Sequence, residues 1–487
     1  MSKDNAMAAR QLLVLAALGA AGSTPFDAKR DEKGTGMCID APWVNAFHHD
    51  CTTPSLKPTD VSRAGGRAER ACCRFGGGFR SDSSAAIEAQ RDKFARMARA
   101  HFEKEMAAAF DAELGPAAAA PAAPEPSHCL SRGVAKALGG SAREVLSWGK
   151  DFSRIRGDAA RDDYDAVVES EKHLGPHHTE QCLGSGREIG EGAPCKDPER
   201  IARYLEPLWR NDSRPTLVYS DDVPLSEFVD GLFNTAHSLA APRKLVLVTS
   251  LNENWGPLST EIPNRTATWG KGEMCGGDAA SRKRLWRARR FMDLPSVAAV
   301  FVSQHACVSH PKLRAFPLGV GGASRRGPLL AAAAVAARRN APRGRELLVD
   351  NSGWKHRADV NAAIVSRFPG LRNEYKPGSG AASGRSYARA SDAKFALAPS
   401  GLGYDSYRVW ETMTLGAIPV IERSRGAWDD LFVDLPAVLV DSYDDVTPAL
   451  LEAEYAHVMR HCETFNFAKL TVSYWTRMLR DPRGALR

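Results

Sequence analysis

A chain of 487 residues is too long for a single core of usual size and calls for two or three domains. Its 43% apolar and 25% charged residues are the proportions of a soluble globular protein. The net charge of +7 is mild for this length: it suits anionic ligands such as nucleotide diphosphates and does not point to nucleic acid, and no apolar run reaches the ~18–20 residues that span a bilayer.

Residues 1–22 have the layout of a signal peptide. Lys3 and Arg10 precede the apolar stretch from Leu12 to Leu18, and Gly19, Ala20, Ala21 and Gly22 are small residues suited to cleavage. A plain Ala/Leu helix is the alternative. The ten cysteines favour the signal peptide, because Cys38, Cys51, Cys72 and Cys73 are crowded at a density suited to oxidising compartments. Asn211 and Asn264 lie in Asn-x-Ser/Thr sequons. The expected location is the secretory pathway, in the Golgi lumen or beyond the cell.

Residues 34–80 hold too few apolar side chains to fold on a core alone, so disulfides are expected to hold them. Adjacent cysteines do not easily bridge each other. Cys72 and Cys73 are therefore expected to pair back to Cys38 and Cys51, in an order the spacing leaves open. Cys38-Ile39-Asp40, Trp43 and the run Cys72-Cys73-Arg74-Phe75-Gly76-Gly77-Gly78 resemble a small Cys-rich module of secreted proteins of algae and other protists. Phe75 stands where that pattern has its last Cys, so one bridge of the pattern is missing. A zinc site fits less well, since the unit has no Cys-x₂-Cys pair.

Residues 83–127 read as a charged helix, with Phe94, Met97, Phe102 and Met106 at helical spacing, followed by an Ala/Pro linker where a domain boundary is expected. Residues 128–200 read as an irregular region. Its Cys129, Cys182, Cys195, His173, His177 and His178 match no metal-ligand template, so disulfides and surface histidines are expected.

Regular β-then-α alternation follows. Strands are expected at 216–219, 244–250 and 297–302 in a first half, residues 201–325, and a helix there carries Leu225, Phe228, Val229, Leu232 and Phe233 on one face. The Ala- and Arg-rich stretch 325–343 crosses to a second half, residues 340–460. Strands are expected there at 346–350, 395–398, 417–421 and 438–441, with helices near 360–368 and 450–460. Residues 461–487 end the chain in an amphipathic helix through Phe467, Leu470, Tyr474, Trp475 and Leu479. The expected class is α/β with parallel sheets.

The stretch 394–421 carries the chemistry. Pro399 stops a strand, because proline lacks the ladder N–H. Gly401 and Gly403 supply a turn that lets a ligand approach closely. Asp405 is placed to cap a helix, and Gly416 ends that helix as a C′ glycine. Backbone N–H groups of this turn and helix start suit phosphate oxygens. Arg408 is placed to pair with a diphosphate, and Glu411, on the same face, to accept from ribose or sugar hydroxyls. The plain alternative is an Arg408–Glu411 surface pair on a structural turn.

The pattern Phe395-x-Leu-x-Pro-Ser-Gly-x-Gly-x-Asp-x-Tyr-Arg-Val-Trp-Glu, followed by Leu415-Gly416-Ala417-Ile418-Pro419-Val420, resembles the C-terminal half of exostosin-like glycosyltransferases, which include plant and algal relatives and the ribitol xylosyltransferase group. The match extends to His310-Pro311-Lys312-Leu313-Arg314-Ala315-Phe316-Pro317-Leu318-Gly319 and to Leu435-Pro436-Ala437-Val438, so it covers about residues 214–455. The resemblance implies a GT-B architecture of two Rossmann-like, doubly wound halves. It implies a nucleotide sugar, first of all a UDP-sugar, as donor and a glycan or glycoprotein as acceptor. Ser400, Gly401, Asp405, Arg408 and Glu411 match the family's donor motif, Gly403 lies in the same loop, and Arg357 is the expected diphosphate partner. No tightly held metal or other cofactor is implied. A loosely bound divalent ion stays open, with Asp221-Asp222 as the nearest substitute for an Asp-x-Asp triplet.

The implied reaction is displacement at the anomeric carbon, with a base on the acceptor hydroxyl and cations on the leaving diphosphate. Asp222 is the first choice of base among Asp221, Asp222, Glu253 and His305, and Glu411 is the catalytic candidate on the donor side. Trp255 and Trp286 are candidates for sugar stacking, with burial as the plain alternative. The arginines from Arg282 to Arg290 suit an anionic acceptor or a solvated helix face. The rival function is a secreted, non-catalytic carbohydrate-binding or adhesion protein with a degenerate transferase domain. A nucleotide-dependent hydrolase or isomerase fits less well, because there is no Gly-x₄-Gly-Lys-Ser/Thr loop.

Overall fold

The computed structural model describes residues 29–30, 37–39, 79–81, 84–116, 128–140, 145–146, 166–168, 216–220, 245–249, 286, 289–302, 310–321, 323–339, 341–353, 357–375, 384–401, 405–424 and 427–480. The signal-peptide stretch, Cys51, Cys72, Cys73, most of the Ala/Pro linker and the helix around Phe228 lie outside the described residues. So do Asp221, Asp222, Glu253, Trp255, His305 and Gly403.

A small antiparallel sheet joins β1 (Lys29–Arg30), β2 (Met37–Ile39) and β3 (Phe79–Ser81). Two parallel sheets follow. The first holds β4 (Ala166–Val168), β5 (Thr216–Ser220), β6 (Leu245–Thr249), β7 (Val297–Val302) and β8 (Leu313–Ala315), side by side in chain order. The second holds β9 (Arg345–Leu348), β10 (Ala393–Leu397), β11 (Ile418–Glu422) and β12 (Val438–Val440). Leu245 to Val248 and Ile418 to Ile421 are buried throughout, as near-continuous apolar runs are when both sheet faces are covered. The chain is thus α/β with parallel sheets, in keeping with a Rossmann-like arrangement.

The two sheets differ in strand order. A parallel bridge from Val349 to Asn373, with Glu374 N donating to Val349 O at 2.8 Å, adds the 371–375 segment beyond β9. By chain order the second sheet then runs 2-1-3-4-5, and its reversal falls between β9 and β10. At such a switch point neighbouring connections leave in opposite directions and open a crevice at the carboxyl ends of the strands. Doubly wound halves were expected on both sides. Among the described residues the reversal belongs to the second sheet alone.

Helix α1 (Ser84–Leu114), set before a boundary in the sequence, packs on α3 (Ala323–Arg339) and α5 (Gly384–Asp392) with Phe102, Met106 and Phe110 buried. Its end is tied down electrostatically: Arg339 pairs with Asp111 at 2.7 Å and donates to Gly115 O at 2.6 Å. The region 128–200 is not irregular throughout. It contains β4 and α2 (Cys129–Leu138), which buries Leu130, Val134 and Leu138. A disulfide joins Cys129 to Cys462, so α2 is fastened to the far end of the second half.

Arg343 locks these layers together. Its buried guanidinium donates to Ser391 O at 2.7 Å and Ala393 O at 2.8 Å, and to Leu415 O and Ser131 Oγ at 3.3 Å. Burial pulls its pKa down to about 10. The C-terminal segment returns toward the first sheet: Leu146 N donates to Leu470 O, Val320 N to Leu146 O, and Trp475 meets Phe316 edge-on at 5.4 Å. Among the described residues no helix is long and apolar enough to cross a membrane.

Because Cys129 and Cys462 are 333 residues apart, their bridge removes a large loop-closure entropy from the unfolded chain. Cys129→Ser with Cys462→Ser is expected to cost about 2–5 kcal/mol in urea unfolding. An unchanged midpoint would mean that the bridge contributes nothing.

Candidate functional site

The carboxyl ends of β9 and β10 bring together the side chains that follow. The strand end is set by three asparagine bonds: Asn351 Nδ2 donates to Leu397 O at 2.9 Å, while Asn361 Nδ2 and Asn373 Nδ2 donate to Asn351 O at 3.2 and 2.8 Å. Pro399 comes one residue after the end of β10, past Ala398, whose N–H makes the last cross-sheet bond to Val420 O at 3.0 Å; its missing N–H could not extend the ladder. After the turn comes α6 (Tyr407–Thr414), which ends at Gly416 with φ of 74°; Gly416 N bonds Met413 O and Ala417 N bonds Thr412 O, the pair of bonds that satisfies a helix's last carbonyls.

Arg357 is the first residue of α4 (Arg357–Arg367), not a free loop cation. Its Nε donates to Ser400 O at 2.8 Å and its Nη2 to Pro399 O at 3.2 Å, so the guanidinium shapes the turn after β10. Ser400 is buried. A Cβ at Gly401 would lie 2.7 Å from Arg357 Nη2, so a side chain there would push the guanidinium aside.

Arg408 and Glu411 do not form the surface pair that was the plain alternative to donor binding. Arg408 Nη2 donates to Asp350 O at 3.0 Å, and its Nη1 reaches Ser386 Oγ at 3.5 Å. The Asp350 carboxylate accepts from Ser386 Oγ at 2.6 Å and Arg389 Nη2 at 3.1 Å, and Arg389 also pairs with Glu113 of α1 at 3.4 Å. Glu411, 1% exposed, pairs with Arg325 of α3 at 2.8 Å. Tyr387 is fully buried, and its hydroxyl has no hydrogen-bond partner among the described residues. Burial, and after it the Glu411 charge, push its pKa up against the pull of Arg325 and Arg408, so the phenol is neutral.

Asp405 corrects the sequence most clearly. Ser406 occupies the N-cap position of α6 and makes no side-chain cap bond. Asp405, 1% exposed, accepts instead from Leu318 N at 2.6 Å and Trp410 Nε1 at 2.7 Å. Leu318 lies on the segment that leaves β8, so this carboxyl joins the first sheet's exit to the motif. The cap expectation fails because a local pattern cannot register a donor 87 residues away.

The structure thus brings Arg357, Ser400, Gly401 and Arg408 to the carboxyl ends of β9 and β10, while Asp405 and Glu411, each 1% exposed, are buried. The sequence missed Arg325, Asp350, Ser386, Tyr387 and Arg389. Asp350 carried a signal, as an acid at the end of an apolar strand; Arg325 was one arginine among many in a crossing helix. Trp286 is 59% exposed, so it is no core tryptophan, and Arg290 lies 5.3 Å over its ring. Arg289 and Arg290 are exposed. Among the described residues no three His, Cys, Asp or Glu side chains converge on a metal-sized site. No protein-family model matches the chain, and no curated protein matches its sequence.

Burial pushes the Asp405 carboxyl up to about 7, against the Leu318, Trp410, Ser406 and Trp428 donors that favour the ionised form. Between pH of about 4 and about 7 the folded chain then keeps a proton that the unfolded chain has released, so this group's contribution to stability declines as pH rises through that window. The urea midpoint is expected to show that decline in the wild type and to lose it in Asp405→Asn, at a cost of about 1–3 kcal/mol for the mismatched donor. An identical slope in both proteins would rule out Asp405 as its source.

Proposed function

We propose that the chain is an exostosin-like glycosyltransferase of GT-B architecture, moving a sugar from a nucleotide sugar, first of all a UDP-sugar, to a glycan or glycoprotein acceptor. The observation that carries this is the switch point of the second sheet: the motif turn and the start of α6 lie at the carboxyl ends of β9 and β10, where doubly wound sheets bind nucleotides. Arg357 and Arg408 bring guanidinium groups to these strand ends, the kind of group that suits a diphosphate.

On this reading the donor diphosphate lies against the motif turn, and Glu411 accepts from ribose or sugar hydroxyls. The acceptor oxygen attacks the anomeric carbon while its proton passes to a base from the first half, with Asp222 as the candidate. The bond from the anomeric carbon to the diphosphate oxygen breaks, and the departing negative charge is stabilised by the arginines and by N–H groups of the helix start. The chemistry needs no tightly bound cofactor, and a loosely held divalent ion is compatible with it. The disulfide between Cys129 and Cys462 supports a Golgi-lumenal or secreted protein, with residues 34–80 as a further disulfide-held module.

One observation favours the rival, a non-catalytic carbohydrate-binding protein. Arg357, Asp405, Arg408 and Glu411 all have partners within the protein, so the motif also serves the fold by itself.

Thermal unfolding with a panel of UDP- and GDP-sugars separates the two. A bound donor at 100 times its Kd is expected to add about 2.7 kcal/mol and raise Tm by several degrees. Arg408→Ala is expected to fold cooperatively and to lose transfer on the order of 10²–10³-fold. Stabilisation by no nucleotide or nucleotide sugar would remove the enzyme.

A further inference from the structure

We propose that His457 and His461 form a chelating site for one borderline divalent transition ion, Zn²⁺ first and Cu²⁺ by the same chemistry, beside the bridge between Cys129 and Cys462. The inference is independent of the glycosyltransferase reading. It rests on the two side chains and on the turn that carries them.

That turn ends α7 (Pro448–Arg460), a helix with clear local causes. Thr447 caps it by accepting from Leu450 N at 3.2 Å, and Pro448 takes the first helical position, where no N–H is needed. Leu451 and Val458 are its buried side. His457 and His461 are four residues apart, so they stand one above the other, and both are exposed. His461 N donates to His457 O at 3.2 Å, so a backbone bond of the last turn runs between the two residues themselves. Their ring centres are 4.7 Å apart, with the planes tilted by 48°. Among the described residues no group hydrogen-bonds to either ring.

The pair is held from behind. Cys462, the next residue, is buried and bonded to Cys129. Beyond it Thr464 donates twice to His461 O, from N at 2.9 Å and from Oγ1 at 2.7 Å. His461 is therefore fixed in place even though it caps the helix.

A neutral imidazole presents one nitrogen lone pair, and two histidines one helical turn apart are a pair that a helix offers to zinc. Imidazole suits zinc and copper, whereas magnesium and calcium take oxygen ligands. The last carbonyls of this 13-residue helix add partial negative charge at the same end, which favours a cation. Of the charged neighbours along the chain, Glu454 and Glu463 favour it too and Arg460 opposes it; all three lie at or near the surface, where water and salt screen them. Among the described residues no third His, Cys, Asp or Glu converges with the pair, so the site is open and exchangeable, unlike a four-ligand structural site. Hydrolytic zinc helices carry a glutamate directly after the first histidine. Here buried Val458 stands in that position, so the pair binds an ion without supplying a base. An ion held by both rings binds only the folded turn, and so adds its binding energy to the stability of the chain.

Zn²⁺ calorimetry at a pH of about 7.5 tests this on the full, disulfide-intact chain, in wild type, His457→Gln, His461→Gln and the double variant. The chain has thirteen histidines, so the quantity read is the component of binding that the double variant lacks. That component is expected to hold one ion, to weaken roughly tenfold or more in either single variant, because a lone imidazole is no chelate, and to resist excess Mg²⁺. Wild-type affinity in either single variant would overturn the proposal. So would a double variant that lacks nothing, or a component that Mg²⁺ displaces, which would belong to carboxylates. Saturating Zn²⁺ is expected to raise the urea midpoint of the wild type more than that of the double variant; an equal rise would place the ion elsewhere. A further measurement needs no variant. Cu²⁺ added below one equivalent to the wild type is expected to show two imidazole nitrogens on one ion by electron paramagnetic resonance, and one nitrogen or none would sink the chelate whatever the variants do.

Discussion

Two buried carboxylates, Asp405 and Glu411, hold the most consequential contacts in the molecule. Each belongs to the turn-and-helix unit of the second sheet, and each takes its partner from the stretch that leaves the first sheet, Leu318 N in one case and Arg325 in the other. A carboxylate that deep is tolerable only with donors or a counter-charge in place, so both contacts are all-or-none. They fix where the chain enters α3 and bring Trp410 along through Asp405 Oδ1. Val320, on the same stretch, donates to Leu146 O, and Leu146 N donates to Leu470 O, so the C-terminal segment inherits its position from the same anchor.

A second chain of charges crosses the sheet's end. Glu113 pairs with Arg389, Arg389 with Asp350, and Asp350 receives Ser386 on its carboxylate and Arg408 on its carbonyl. Helix α1 contributes Glu113 from outside the α/β alternation. Such networks are worth most when every member is satisfied and cost most when one is lost. Arginines here shape backbone through carbonyls, Arg357 beyond the carboxyl end of β10 and Arg343 at its amino end.

Much of the second half was legible because its signals are local. The apolar run before Pro399, the helix that follows and the glycine at position 416 are each set by neighbours within a few residues, and β10, α6 and β11 formed where those neighbours put them. What failed was long-range. Asp405 obeys the cap pattern, but its donor is 87 residues away, and the Arg325 partner of Glu411 is 86 residues away. Helix α2 hid behind Gly133 and Gly139, although Leu130, Val134 and Leu138 carry helical spacing. Strand order is not written in strand composition at all. The reversal between β9 and β10, on which the crevice depends, rests on a single bridge from Val349 to Asn373.

The bond between Cys129 and Cys462 bears on how this chain is made as well as on how it stands. Cys129 leaves the ribosome 333 residues before its partner does. At synthesis rates of about 5–20 residues per second, its thiol waits roughly 15–70 seconds with nothing native to oxidise to. During that wait every cysteine between them emerges first and is the nearer, wrong partner. The α/β body must therefore be largely assembled before α2 is stapled down, which makes this bridge a seal on a finished fold, and makes correct closure a matter for thiol exchange after synthesis.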